Sequence, residues 1–131
     1  MTSHGKGTFQ VTGWDEKPYD QTNGQKLTKT HVTETFSGEI QGDSAVDYLM
    51  AYPDERYAAI VGMQRVTGGV GGKQGSFLLQ ATGKFENGTA TCDLSVVPGS
   101  GTDELTGLTG EGSFRTDDTG SASYEFHYAI K

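Results

Sequence analysis

One cysteine, Cys92, stands in the whole chain. A lone thiol closes no internal disulfide and suits a reducing compartment. Lysine and arginine are also scarce, ten against seventeen aspartates and glutamates, for a net charge of −7. They are scattered, with no basic stripe among the aromatics, which excludes nucleic acid and argues against anionic membrane as partners. No apolar run approaches the ~20 residues a membrane helix needs. The first residues, MTSHGKGT, carry no apolar core or cleavage site, so they do not read as a signal peptide, and a cytoplasmic protein is expected.

Motifs for cofactors are missing as well. His4, His31 and His127 lie far apart, and none pairs with Cys92 at a metal-ligand spacing. Gly72-Lys73 is followed by Gln74 where a phosphate loop needs Ser or Thr, and Gly99-Ser100-Gly101 meets Glu104 where a dinucleotide fingerprint needs glycine. Ser44 has Val46 where a nucleophile elbow needs its last glycine. Neither a metal nor a cofactor is expected. Cys92, alternating with Ala90 and Leu94, reads as a small buried hydrophobe.

What remains is alternation. Only 33% of residues are hydrophobic, yet six Phe and six Tyr recur in period-2 runs, which fits an all-β protein better than a disordered one. Strands are predicted over Gly5–Thr12, Lys26–Gln41, Ser44–Tyr52, Tyr57–Thr67, Ser76–Phe85, Thr89–Val97, Thr106–Arg115 and Ser121–Ile130. Asn23-Gly24 and Asn87-Gly88 are strong hairpin dipeptides. Lys17–Gln25, Gly42-Asp43, Pro53–Glu55, Gly68–Gly75 and Asp117–Gly120 read as the other turns. Thr102–Leu105 is read as one helical turn. Eight antiparallel strands joined in sequence, with almost no helix, predict one barrel domain over residues 1–131, of the kind that holds a small ligand. A two-sheet sandwich is the alternative. Glycines inside the strands (Gly38, Gly62, Gly83, Gly112) favour the barrel because they let a sheet bend until it closes.

The stretch Thr8–Tyr19 organises the search for a site. It alternates through Phe9 and Val11, passes Gly13, presents the single tryptophan Trp14 and then Glu16, and is expected to stop at Pro18. In a regular strand Trp14 and Glu16 face away from Phe9 and Val11; only a bulge at Gly13 brings all four to one side. Glu34 shares a face with Val32, Phe36 and Ile40, so periodicity places a second carboxylate on an apolar surface. A carboxyl in a dry lumen has a raised pKa and suits acid–base work near neutrality. Arg65 or a lysine beside it would cancel that effect. Glu16 and Glu34 are therefore the candidate catalytic residues. Trp14, Tyr19, Tyr48, Gln64, Gln80 and Tyr124 are the candidate ligand-binding residues, with Tyr128 as a further phenol. Each is set against plain core or surface placement, the commoner fate of such residues on strands.

The blocks GTFQVTGWDEKPY, VTETFSGEIQGDSAVDYLMAY, GMQRVTGGVGGKQGSFLLQATGKF and VVPGSGTDELTGLTGEGSF resemble a bacterial family of uncharacterised small proteins, in order from Gly7 to Tyr128. That family is grouped with the allene-oxide-cyclase-like barrels, which also take in the plant dirigent proteins. The resemblance implies an eight-stranded, calycin-like antiparallel barrel with an apolar cavity, often built into a homo-oligomer. The cyclases place a glutamate near the end of the first strand, followed by a proline-containing polar segment; Glu16, with Pro18 and Tyr19 behind it, occupies a comparable stretch. The function expected from residues and resemblance together is capture of a small apolar or aromatic molecule, with isomerase or cyclase chemistry in the lumen. A non-catalytic carrier or sensor, and an assembly module with a filled lumen, are the rivals.

Overall fold

Strict alternation over eight segments leaves each with one apolar face, and a ring of strands buries all of those faces together. The computed structural model describes residues 2–117 and 119–131 and shows such a ring. The strands are β1 (Ser3–Thr22), β2 (Gln25–Gly38), β3 (Ile40–Asp54), β4 (Tyr57–Val70), β5 (Lys73–Glu86), β6 (Thr89–Val96), β7 (Leu108–Thr116) and β8 (Ser121–Ile130). Each pairs antiparallel with the next, and β8 closes on β1 from Ser3↔Tyr128 to Gln10↔Ser121. A 3-10 turn over Asp103–Leu105 is the only helix among the described residues.

The lumen is packed by inward residues, among them Phe9, Val32, Phe36, Val46, Met50, Ile60, Val66, Phe77, Leu79, Leu94 and Phe126. Each large side chain sequestered there contributes roughly 1.5–3 kcal/mol. Aromatic contacts knit opposite walls: the Phe9 ring meets Phe36 at 4.9 Å and Phe114 edge-on at 5.1 Å. Outward positions are mostly polar. The exception is a strip on β2–β4 where Leu27, Leu49, Val61 and Met63 are exposed.

Three of the hairpins use two-residue turns with both residues at positive φ, at Asn23-Gly24, Gly71-Gly72 and Asn87-Gly88. That turn matches the natural twist of a hairpin. Tight turning lets the strands run longer than the sequence suggests, and several expectations are corrected. β1 continues through Lys17–Thr22 instead of stopping at Pro18. Gly42-Asp43 is strand, because the β2–β3 turn falls at Gly38-Glu39, where Gly38 adopts φ +100°. Most of Gly68–Gly75 is ladder too, from Val70↔Lys73 outward. Gly62 pairs in register with Tyr48, without a bulge, and is a point of close approach for the Tyr48 ring.

The two ends of the barrel differ. At one, the connection between β6 and β7 folds against β5, with Leu105 fully buried in the core cluster. Nearby, the Tyr124 hydroxyl accepts from the Ile40 amide at 2.8 Å and donates to the Ser37 carbonyl at 2.9 Å, pinning the β2–β3 turn. At the other end β1 outruns β8. Val11 still donates its amide to the Gly120 carbonyl at 3.0 Å; beyond it the described pairing of β1 is with β2 alone, so Gly13–Thr22 forms a free edge beside the β7–β8 turn. Two bulges, Pro18 and the charges of Asp15, Lys17 and Asp20 make that edge a poor template for another strand. Among the described residues no helix is long and apolar enough to cross a membrane.

Candidate functional site

The geometry of the site begins with one extra residue. Val11 pairs with Glu34 and Gly13 with Thr33, so Thr12 is a bulge between them. The bulge resets the alternation: Trp14 then lies opposite Val32 and Glu16 opposite Thr30, both inward residues of β2. Phe9, Val11, Trp14 and Glu16 thus share the inner side. Gly13 has no side chain to fit beside Thr33, whose hydroxyl lies 2.6 Å from where its Cβ would be.

Deeper in, β2 carries Glu34 into the core at 3% exposure. Ser44 of β3 donates to its Oε1 at 2.9 Å, and Gln64 of β4 donates to the same oxygen at 2.7 Å while also reaching Ser44 Oγ at 2.9 Å. Three adjacent strands thereby build the seat of one carboxyl. Among the described residues no cation offsets it: Arg65 belongs to the opposite, outward face of β4. Burial dominates over the two hydrogen bonds, and the Glu34 pKa is pushed up to about 7.

Tyr48 is placed by a glycine. It pairs with Gly62, and its ring occupies the space a Cβ there would need, 2.5 Å from Cδ1. Lying over Gly62 of β4, the phenol is within electrostatic reach of Glu34. Burial, with the nearby Glu34 charge adding to it, raises its pKa far above the ordinary phenol value. Cys92, on the facing wall, is raised to about 12 by burial, with the charges of Asp93 and Glu34 adding to the effect. It stays a neutral thiol, as its alternation with apolar neighbours suggested.

Around these groups is an apolar crevice of about 50 Å³, lined by Val11, Trp14, Met50, Ile60, Phe85 and Phe114 among others, with Glu34, Tyr48 and Cys92 in its wall. That is room for a few waters, well below the several hundred Å³ of a formed drug-sized pocket. It opens at the free edge of β1, where Trp14 is 56% exposed. Larger concavities of about 950 and 490 Å³ lie along outward residues of the β5–β8 wall, among Thr82, Asp93, Ser113 and Glu125. They are shallow and solvated, and the buried acid does not face them.

Glu16 marks the rim. Its Oε2 accepts from Thr28 Oγ1 at 2.8 Å and from the Tyr52 hydroxyl at 2.7 Å. Lys26 sits over the Tyr52 ring at 4.6 Å. Glu16 is thus the rim carboxylate and Glu34 the interior one.

The remaining candidates separate by position. Gln64 joins Glu34 directly. Gln80 is on the outer wall of β5, because alternation assigns the lumen to Leu79 and Ala81. Tyr19 is the extra residue of a second bulge, between Pro18 and Asp20, and is largely solvated. Tyr124 and Tyr128 work at the closed end: Tyr124 holds the β2–β3 turn and Tyr128 donates to Glu39. Ser44, Thr28 and Tyr52 complete the two carboxylate seats, a role that no motif in the sequence announces. Ser44 precedes Val46 and Tyr48 by even steps, so parity alone places it inside. Among the described residues, no group of three His, Cys, Asp or Glu side chains is gathered to hold a metal.

Fold and site define a small closed β-barrel with one uncompensated carboxyl inside it. The chain belongs to the DUF3224 family, whose model describes a protein of unknown function and matches residues 5–128. A crystal structure of a DUF3224 protein of unknown function from Shewanella oneidensis MR-1 is similar throughout. It is 29% identical with a TM-score of 0.80, over 100% of this chain and 99% of that one. No curated protein matches.

Proposed function

We propose that the barrel takes up a small, largely apolar molecule through the crevice at Trp14 and that Glu34 acts on it as an acid–base group. The chemistry this fits is a cofactor-independent isomerisation or cyclisation, the class implied by the resemblance to allene-oxide-cyclase-like barrels. One observation carries the reading: Glu34 is held buried by Ser44 and Gln64 with no cation beside it, and with its acid strength moved to about 7. Such a group is populated in both protonation states at neutral pH, which is what proton donation and return require. The apolar walls exclude water and position the ligand. Trp14 and Phe85 must shift outward for anything larger than a few waters, and the exposed Trp14 ring has solvent to move into.

The test is a thermal-shift screen of small apolar and aromatic compounds against wild type and Ala90→Trp, which fills the crevice mouth. Binders that stabilise wild type but not Ala90→Trp support the reading. Each binder is then incubated with protein and followed by chiral chromatography, with Glu34→Gln as the inactive control. A binder recovered unchanged indicates a carrier. A second reading has its own support, because side chains fill the lumen apart from about 50 Å³. On that reading the barrel is a scaffold, and the screen returns no compound sensitive to Ala90→Trp.

A further inference from the structure

Two polar atoms in the crevice wall are left over after the internal hydrogen bonds are assigned. Both bonds to Glu34 fall on Oε1, and among the described residues neither Oε2 nor the Tyr48 hydroxyl has a partner. Neither atom is sealed in the packing, since no fully buried side-chain oxygen or nitrogen lacks a partner. Both residues line the crevice, whose wall is otherwise almost wholly apolar. Elsewhere in the interior the polar groups are satisfied: Thr30 donates to Met50 Sδ, Tyr124 holds the Ile40 amide, and Gln64 spans Glu34 and Ser44. The Glu34 Oε2 and the Tyr48 hydroxyl are each within reach of whatever occupies the crevice, a water or a ligand atom, so each has hydrogen-bonding capacity that a bound molecule can use.

Their chemistry specifies what completes them. A phenol always offers a proton, and Glu34 offers one in its protonated form. Resting on the reading above, we propose that the crevice is built for a ligand with one hydrogen-bond-accepting oxygen, a carbonyl or its enolate, on a flat apolar body. Glu34 and Tyr48 converge on that oxygen. The void holds the oxygen and its carbon; the body extends between Trp14, Phe85 and Phe114, whose rings favour a flat partner. Gly62 is part of the device, because any side chain there would lift the Tyr48 ring from the wall. Two donors placed around one oxygen in a dry site polarise the carbonyl bound there.

A matched pair of probes tests this: acetophenone, and ethylbenzene, which has the same ring and no oxygen. Binding is read from Trp14 emission, the chain's single tryptophan, and from amide chemical shifts of β2, β3 and β4. Acetophenone is expected to bind at least about tenfold more tightly than ethylbenzene. Tyr48→Phe keeps the ring over Gly62 and removes only the hydroxyl; it should lower acetophenone affinity by about the same factor and leave ethylbenzene unchanged. Equal binding of the two probes, or an unaltered preference in Tyr48→Phe, overturns the carbonyl proposal while the apolar-crevice reading stands. Failure of both probes to bind wild type overturns the two together.

Discussion

Replacing Glu34 by Gln should make the protein more stable, by an amount that depends on pH. Gln keeps the shape and retains an oxygen to accept from Ser44 and Gln64, so the seat survives while the ionisable proton is removed. In the wild type the group's pKa rises from 4.5 to about 7 on folding, because burial disfavours the charge. The folded state therefore holds a proton that the unfolded state has released whenever the pH lies between those two values. Stability from this group is complete below about 4.5, falls as pH rises, and levels off above about 7. The total loss is at most about 3 kcal/mol, from 1.36 kcal/mol for each pH unit of difference. Wild type and Glu34→Gln should unfold alike near pH 4.5. At pH 8 the variant should lead by up to about 3 kcal/mol, on the order of 10 °C in Tm for a chain of this length. Urea unfolding at both pH values reads the difference directly. A variant equal to or weaker than wild type at pH 8 would falsify the assignment of Glu34 as a buried, uncompensated acid. Glu34→Gln should also be inactive if the barrel is an enzyme, a case of stability exchanged for function.

Other outcomes follow from the same contacts. Tyr124→Phe removes the partner of the buried Ile40 amide and should cost roughly 1–3 kcal/mol in chemical denaturation, whatever it does to ligand binding. Loss of binding with unchanged stability would return Tyr124 to the site. Gly62→Val places methyl groups where the Tyr48 ring lies and should destabilise by about 1–3 kcal/mol, with large shifts at Tyr48 in NMR spectra; a silent substitution would remove the glycine's role. Cys92 should resist a water-soluble disulfide reagent at pH 8 and react fully in urea, since it is buried and its pKa is about 12; rapid native reaction would contradict the packing. Tyr52→Phe removes one hydrogen bond to Glu16 at the rim and should cost about 1–2 kcal/mol or less without altering the pH dependence set by Glu34.

The resemblance and the strand pattern pointed to the same fold for a physical reason. Period-2 alternation is local, and it names the inner face of a strand wherever register is uninterrupted, as for Val32, Glu34 and Phe36 on β2. It places Glu34, Tyr48 and Gln64 inside from parity alone. It fails wherever register breaks. Gln80 is outward by the same parity that puts Leu79 inward, and Tyr19 sits in a bulge that composition does not announce. Gly38 and Gly42 offer two bending points within five residues, and composition favours neither. A phenol from β8, far along the chain, selects the first.

The residues by themselves determined an all-β chain of eight alternating strands, an inner face bearing Glu34, and the absence of cofactor and disulfide motifs. Only the closed ring decided the rest. It brought Ser44 and Gln64 from neighbouring strands onto one oxygen of Glu34 and kept Arg65 on the far side of β4. It also inserted Thr12 as the bulge that turns Trp14 and Glu16 inward. Alternation is a property of one strand, whereas a pKa, a crevice and a bulge are properties of the strands beside it.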